Sequence, residues 1–522
     1  MNDNNRQLAI QTLVSEAIYT NRQEHIDYFY KAALDAITRR TKSKVFLGQR
    51  RMGKTEIFKR VVNQLFVEQN QYVDIYKSVV PVYFSFPDIT ISRWEFCLLY
   101  TENFLRWYMA FRLGNLSLLS SEEFPLNDFK DYCFTWRNLS IGENRAFKFL
   151  NLLHTQEVIV PELDTMSLPR RVSDCDDSSI AIFLDEFQNT RLPQYNFDIV
   201  GYMQEAVESP TCPHFVTGSA MSILTRDILG RGALFGRFFS RPIKAFTNYY
   251  GAELALRAAK YYQVKISEEM APVVSTKCGG NPFYIDALIQ QAREQQAVIN
   301  SEQDINSMLA VDLSSGFIWS ELSDQVSRWI ERVNEYNITK WILYLSALEE
   351  SERLDLERIQ RRILEYEGQK VSIELIRDVL IKLSRGDLVQ YMELGRWFKK
   401  VDDPILLEFL RIWGKIEVEG KDASFQKDEL VTKYMQQKRR ISEYKGYLAE
   451  VFMVQALWAC QKKTLAGKYF HSAYDVVFPR FIDVKQRVRL ESGANREIDV
   501  LGLGGGDQWV CQSKWIVGQK AG

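Results

Sequence analysis

The feature that most constrains this sequence is a loop pattern, G-x-x-x-x-G-K-T, at positions 48 to 55. A short apolar run, 44–47, precedes it, and a helical pattern of apolar residues follows it. The two glycines permit backbone angles that a side chain would forbid, so the loop can wrap around a phosphate group. Its N–H groups then face an anion at the N-terminus of the next helix. The pattern predicts a phosphate-binding loop (P-loop); an ordinary glycine turn is the alternative.

This loop supplies the side chains that we expect to hold a nucleoside triphosphate and a metal ion. Lys54 would reach the β- and γ-phosphates, and the Thr55 hydroxyl would bind Mg²⁺. The expected nucleotide-binding set is the whole loop: Gly48, Gln49, Arg50, Arg51, Met52, Gly53, Lys54 and Thr55.

A second motif is the apolar run 180–184, which ends in two carboxylates, Asp185 and Glu186. The run predicts a buried strand. At its end we expect Asp185 to hold Mg²⁺ and Glu186 to act as the general base on the attacking water. A buried strand that leaves into an acidic turn is the alternative.

Several further segments carry a resemblance to a known family. They are the entry motif 19–24 with Arg22, the Arg50–Arg51 pair, Val216-Thr217-Gly218-Ser219, a Gly-Arg segment at 236–237, and Gly-Asn-Pro at 280–282. In this order they resemble the archaeal-type ATPases of the STAND branch of P-loop NTPases. The resemblance implies an α/β fold with a parallel sheet and helices on both faces. It also implies ATP rather than GTP, since the sequence has no Asn-Lys-x-Asp guanine motif.

The resemblance further implies roles for two segments. Arg237 would sense the γ-phosphate, in cis or across an oligomer, with a structural salt bridge as the alternative. The Gly-Asn-Pro motif would report the nucleotide to a helical domain. Asn281 and Pro282 would equally suit a helix N-cap followed by proline.

The sequence predicts a second candidate catalytic site near its C-terminal end. Asp499 lies on a predicted strand, and Gln512 and Lys514 lie on the next one, with Glu450 on a preceding helix. From about 444 onward the sequence resembles the PD-(D/E)xK restriction-endonuclease-like fold in its Gln-x-Lys version. The resemblance implies Mg²⁺ on Asp499 and Glu450, with Gln512 and Lys514 completing the catalytic set. Charges that deter pairing of an edge strand are the alternative. The sequence ends eight residues after Lys514, so we expect a fragment or an abbreviated domain.

The expected domain order follows from these assignments. A P-loop ATPase core would occupy 1–250, a helical lid 251–330, a winged helix 331–430 and a nuclease-like α/β domain 431–522. The winged helix has a DNA-binding interpretation through basic residues of 372–385, and packing on the ATPase is the alternative.

Composition restricts the partners. A net charge of -1 excludes a generally basic surface, so any DNA site is a local patch. The apolar runs are too short for a membrane span, and the first residues do not form a signal peptide. We therefore expect a cytoplasmic ATP-hydrolysing protein with DNA, a protein partner or its own copies as partners, and no membrane. It would either gate a DNA-cleaving domain or act as a nucleotide-switched regulator or scaffold.

Overall fold

The computed structural model of the chain describes residues 8–70, 77–136, 138–191, 195–218, 228, 232–333, 338–368, 370–384, 386–392, 395–422, 448–489 and 497–512. The chain divides into two compact units, Met1–Gln426 and Lys427–Gly522. The boundaries of the four predicted domains within these units stay a prediction.

A five-stranded parallel β-sheet forms the centre of the first unit. The strands are β1 Lys44–Leu47, β2 Val79–Ser85, β3 Ser179–Asp185, β4 His214–Thr217 and β5 Phe239–Pro242. Their order across the sheet is β2-β3-β4-β1-β5. Strands β2, β3 and β4 are buried almost throughout, as expected when both faces of a parallel sheet are covered. All strands end at the same edge of the sheet, so the loops after β1, β2 and β3 meet there. The predicted α/β P-loop fold, with flanking helices, is confirmed.

Helices pack on this sheet through an aromatic core. They are α1 Gln23–Leu34, α2 Lys54–Gln69, α3 Arg93–Leu113, α4 Leu126–Trp136, α5 Ile141–His154 and α6 Pro161–Asp176. Phe58 of α2 lies between Phe46 of β1 and Phe183 of β3, with ring centroids 5.9 and 5.3 Å away. This packing fixes the start of α2 against the sheet, and thereby positions the loop that precedes it.

A helical region continues the first unit. It comprises α7 Asn248–Tyr262, α8 Ala271–Lys277, α9 Pro282–Glu294, α10 Glu302–Ser315 and α11 Phe317–Val333. Three helices follow, α12 Thr339–Leu348, α13 Leu356–Glu367 and α14 Ile373–Ser384. They are followed by an antiparallel hairpin of two strands, β6 Gln390–Met392 and β7 Trp397–Lys399. This part of the chain is therefore three helices with a small antiparallel hairpin, and its assignment as a winged helix stays a prediction. The last helix of this region is α15 Pro404–Glu417.

The second unit contains a helix over 448–460 and a three-stranded antiparallel sheet. A small ladder pairs β8 Thr464–Leu465 with β9 Val476–Val477. The sheet strands are β10 Phe481–Arg489, β11 Glu497–Gly504 and β12 Gln508–Cys511. Leu457 of the helix packs on Phe478, Phe481 and Val500. This small core holds the helix against one face of the sheet.

The strand before the P-loop, the helix after it and the strand at 180–184 lie where the sequence predicts them, whereas strand β5 was not predicted. Within the described residues, no helix combines the length and apolar character that crossing a bilayer requires.

Candidate nucleotide-binding site

The P-loop connects the end of β1 to the start of α2, as the motif predicts. Gly53 has φ 88°, a left-handed conformation that suits glycine, and it is the residue before Lys54, where the helix begins. Gly48 is required for a different reason. A Cβ atom there would lie 2.3 Å from Ile243 Cγ2 and 2.9 Å from the carbonyl oxygen of Ile243. The segment after β5 therefore packs directly on the first glycine of the loop.

Lys54 folds back onto the loop. Its ammonium group donates to the carbonyl oxygens of Gly48 at 2.6 Å and Gln49 at 2.7 Å. The side chain is held inside the curve of the loop, the position from which it would reach a bound phosphate.

Asp185 and Glu186 lie at the carboxyl end of β3, at the same edge of the sheet as the loop. Successive side chains of an extended strand point to opposite faces. Glu186 has φ 52°, in the left-handed region, and this interrupts the alternation. Both carboxylates consequently lie close enough to Lys54 to perturb its pKa. Tyr83 of β2 donates a 3.0 Å hydrogen bond to Asp185, which fixes that carboxylate.

The charged groups of the site are desolvated, and their pKa values shift accordingly. Burial lowers the pKa of Lys54 to about 8, although the carboxylates of Asp387, Asp185 and Glu186 oppose the shift. Burial also raises the pKa of Glu186, and the charge of Asp185 raises it further. The pKa of Arg50 is lowered, again chiefly by burial. An anionic ligand entering here would offset the cost of keeping two cations out of water.

The oxygen atoms near Lys54 fit a hard divalent cation. Thr55 supplies a hydroxyl in the first turn of α2, and Asp185 a carboxylate at the end of β3; Mg²⁺ prefers oxygen ligands. Among the described residues no hydrogen bond engages the Thr55 hydroxyl. The predicted pair Thr55 and Asp185 is thus suited to Mg²⁺ that also binds phosphate oxygens.

Arg51 links the loop to the helical region. Its guanidinium group donates to Gln325 Oε1 at 3.0 Å and to the carbonyl oxygen of Glu321 at 3.2 Å, both on α11. It also lies 4.7 Å from the ring centroid of Phe283, the residue that follows Gly-Asn-Pro. Any rearrangement of the loop on binding a nucleotide would therefore be felt by α11 and α9.

The entry motif and the Gly-Asn-Pro motif belong to the same assembly. Arg22 donates to the carbonyl oxygen of Lys244 at 2.8 Å and lies 4.1 Å from the ring centroid of Phe246. Phe246 in turn donates to the carbonyl oxygen of Gly280 at 2.8 Å. The side chain of Asn281 accepts a hydrogen bond from the N–H of Phe283 at 3.0 Å. This is the hydrogen bond of a helix N-cap, as the alternative interpretation expects.

Thr217, from the 216–219 segment of the resemblance, and Arg237, the predicted γ-phosphate sensor, both have partners within the chain. The hydroxyl of Thr217 donates to the carbonyl oxygen of Phe46 at 3.1 Å, within the sheet. Arg237 precedes β5 at the edge where the strands begin, and its Nε lies 2.9 Å from the carboxylate of Glu208. The P-loop follows the opposite end of β1. This placement favours the salt-bridge alternative over a γ-phosphate contact in cis, while a contribution to a second copy stays a prediction.

The C-terminal constellation is described in part. The β11–β12 ladder ends with Val500 paired to Cys511, so Asp499 and Gln512 are the residues next to its last pair, and Gln512 lies just after β12. Glu450 instead accepts two hydrogen bonds from Arg487, at 2.8 and 3.3 Å. Lys514 lies outside the described residues. In the described part of the chain, no group of three or more His, Cys, Asp or Glu side chains is placed to hold a metal ion.

Comparisons with known proteins give similarity of structure only. No protein-family model matches the sequence. No curated protein matches it at a significant level. A Walker-type ATPase of Pyrococcus abyssi is similar at 15% identity and a TM-score of 0.49, over 77% of this chain and 99% of that one.

Two further structures show weaker similarity. The ORC2 protein of Aeropyrum pernix is similar at 12% identity and a TM-score of 0.40, over 80% and 95% of the two chains. The Thermotoga maritima RuvB Holliday junction branch migration motor is similar at 11% and 0.34, over 73% and 92%. At this level the similarities carry no argument about activity, and the fold assignment rests on the sheet and loop described above.

Residues that sequence reasoning missed lie around the same site. Asp387, between α14 and β6, is the carboxylate with the largest effect on both Lys54 and Arg50. Gln188 donates to the carboxylate of Glu186. Gln325 receives Arg51 from a position 274 residues away in sequence. No local sequence pattern marks these three residues.

Proposed function

We propose that this chain binds ATP·Mg²⁺ at the P-loop and hydrolyses it. The proposal rests on the environment of Lys54, which is buried and donates to the loop carbonyls of Gly48 and Gln49. The carboxylates of Asp185 and Glu186 lie close enough to act on its charge. A cation and a general base at one edge of the sheet are what in-line phosphoryl transfer to water needs.

Each of these side chains has a defined task in that reaction. Lys54 would bind the β- and γ-phosphates, and the desolvated pocket would strengthen that contact relative to water. Glu186 would accept a proton from the attacking water, and its raised pKa improves it as a base near neutral pH. Asp185 and Thr55 would hold Mg²⁺, which when bound supplies positive charge to the phosphate oxygens.

ATP turnover by the purified chain in Mg²⁺ tests this proposal. We expect Lys54→Ala to lower the turnover number by at least about 10²-fold and to weaken ATP binding. Lys59→Ala, a lysine farther along α2, is the matched control and should change neither value. Equal turnover by wild type and Lys54→Ala would refute the proposal.

We further propose that the nucleotide state is transmitted through the helical region, as in STAND proteins. Support comes from Arg51, which joins the loop to α11 and to the ring of Phe283. The output would be Mg²⁺-dependent DNA cleavage by the second unit, through Asp499, Gln512, Lys514 and Glu450. The position of Asp499 and Gln512, each next to the last residue pair of the β11–β12 ladder, supports this output.

The alternative output is a nucleotide-switched regulator or scaffold that binds DNA, a protein partner or its own copies without cutting DNA. This alternative is favoured by the ion pair between Arg487 and Glu450, because it engages a carboxylate that was predicted to bind Mg²⁺.

Plasmid nicking with Mg²⁺, with and without ATP, separates the two outputs. If the second unit cuts, Asp499→Ala abolishes nicking, whereas Asp507→Ala, a carboxylate at the β11–β12 turn, does not. A loss of nicking in Lys54→Ala then shows control by the nucleotide. Intact DNA together with Lys54-dependent ATP turnover would leave the regulator as the function.

A further inference from the structure

A cavity of about 480 Å³ lies beside the P-loop, at the edge where the parallel strands end. Its wall includes Ser85 at the end of β2, Glu186 and Asn189 after β3, and Arg50 of the loop. Helix α11 forms the opposite wall. Because Arg50 of the loop and Glu186, the proposed general base, line the same cavity, a phosphate group and its attacking water could be held between them there.

Arg50 differs from the other arginines of this cavity in having no hydrogen bond. Arg51 is engaged by α11, and Arg328 forms ion pairs with Asp324 and with Asp88 at 3.4 Å. For Arg50, no hydrogen bond or ion pair to any described residue is present. Its side chain is partly buried and lines the cavity.

The nearby charges do not satisfy Arg50. Glu186 and Asp387 act on it electrostatically, and burial nevertheless lowers its pKa below the ordinary arginine value. A buried guanidinium without a hydrogen-bonded anion is costly, and a bidentate anion such as a phosphate relieves that cost. Its five N–H donors are therefore available to a ligand in the cavity.

We propose that Arg50 is a catalytic residue that stabilises, within the same chain, the charge on the γ-phosphate during ATP hydrolysis. This inference rests on the proposed ATPase function. It assigns to the third residue of the loop the task that the sequence led us to expect of Arg237, which lies at the opposite edge of the sheet.

The chemical step is an in-line displacement. The oxygen of water forms a bond to the γ-phosphorus as the bond from that phosphorus to the β–γ bridging oxygen breaks. The electron pair leaves with ADP, and the proton of the water passes to Glu186. Negative charge spreads over the γ-phosphate oxygens as this happens, and Arg50 would donate hydrogen bonds to them.

Arginine is suited to this position and lysine is not. A planar guanidinium can donate to two phosphate oxygens at once and stays protonated even when burial lowers its pKa. A lysine would offer one compact charge on a flexible stem. Arg50→Lys should therefore restore only a small part of the activity that Arg50→Ala loses.

The test measures single-turnover hydrolysis together with the affinities for ATP, ADP and ADP·aluminium fluoride, in Mg²⁺ with the full chain. We expect Arg50→Ala to slow hydrolysis by about 10³-fold. It should weaken ADP·aluminium fluoride binding by at least about 10²-fold while ADP affinity changes less than about threefold. Arg328→Ala, at the same cavity, is the matched control and should keep both values within about threefold.

Three outcomes decide the proposal. If Arg50→Ala hydrolyses ATP within threefold of wild type, Arg50 is not catalytic. If it weakens ATP, ADP and the aluminium fluoride complex equally, Arg50 is only a general phosphate ligand and the proposal fails. If the wild type binds ATP without hydrolysing it, the ATPase function fails separately. Retention of the ATP-over-ADP preference in Arg50→Ala would then overturn the γ-phosphate contact as well, and its loss would support that contact.

Discussion

The P-loop site and the C-terminal constellation use similar residue types but hold them differently. At the P-loop, Lys54 is 7% exposed and Asp185 is 2% exposed, and the pKa values of Lys54 and Glu186 are shifted by burial. In the second unit, Asp499 is partly buried and Gln512 is exposed. Charges in a desolvated pocket act far more strongly on a ligand than charges at a wet surface.

The same contrast holds for the supporting contacts. At the P-loop site, Ile243 packs on Gly48, Tyr83 bonds to Asp185 and Gln325 bonds to Arg51, and these three partners are far apart in the sequence of the first unit. Glu450 and Asp499 are supported within one small helix and sheet. A site assembled from distant segments is preorganised by the fold, and we therefore expect substitutions at the first site to have larger effects than those at the second.

The largest expected effect is that of Glu186→Gln. The substitution keeps the shape of the side chain and removes the base, so the turnover number should fall by about 10²- to 10⁴-fold with ATP affinity within about threefold. Steady-state hydrolysis and equilibrium binding measure the two quantities. If Glu186→Gln were as active as wild type, Glu186 would not be the general base. The P-loop site would then have no demonstrated base, like the C-terminal site.

The pH dependence sharpens this test. Because burial and Asp185 raise the pKa of Glu186, the acid limb of turnover should lie above the ordinary glutamate pKa of about 4.3 and disappear in Glu186→Gln. This loss of turnover at low pH cannot be explained by Glu186 causing the protein to unfold. A raised carboxyl pKa means that the folded protein binds more protons than the unfolded chain, so this group stabilises the fold as pH falls through its raised pKa.

A smaller effect, on stability, is expected from Gly280→Ala. Gly280 and Gly368 both have φ 65°, so alanine costs each about 1 to 2 kcal/mol of backbone strain. A Cβ at Gly280 would also lie 2.3 Å from the carbonyl oxygen of Phe246, whereas at Gly368 nothing lies within 4 Å. We expect Gly280→Ala to lose about 2 to 3 kcal/mol more than Gly368→Ala in denaturant unfolding. Equal losses would mean that the Phe246–Gly280 contact is not tightly packed.

Sequence alone predicted the parts of the first site that are local. The strand, loop and helix from Lys44 to Gln69 follow from a glycine pattern and helical periodicity, and they were located to within a residue or two. Strand β5 was missed because Phe239–Pro242 is largely exposed and includes a proline. This segment is a strand because it pairs with β1, which the local sequence does not reveal. The contacts of Arg51 with α11 were also missed. Contacts across more than 270 residues leave no local periodicity from which to infer them.

The second unit provides the next smaller effect. Arg487→Ala removes both hydrogen bonds to Glu450, and we expect a loss of about 1 to 2 kcal/mol, limited because the arginine side chain is 50% exposed. Lys485→Ala, whose lysine on the same strand is 56% exposed and lies 3.5 Å from Asp483, is the matched control and should cost less than about 0.5 kcal/mol. Thermal unfolding measures both variants. A change in ATP turnover by Arg487→Ala would show that the two sites are coupled.

The smallest effect is expected from Arg237→Ala at low protein concentration. Arg237 lies at the start of β5 and pairs with Glu208, so it is a strand's length from the P-loop of its own chain. The ion pair is partly exposed, and its loss should cost less than about 1 kcal/mol. Turnover should stay within about twofold of wild type when copies are apart. If Arg237 instead serves a second copy, the deficit of the mutant will grow with protein concentration, and mixing Arg237→Ala with Lys54→Ala will restore activity, because each chain then supplies what the other lacks. No restoration and no dependence on concentration would leave Arg50 as the arginine on which γ-phosphate chemistry depends.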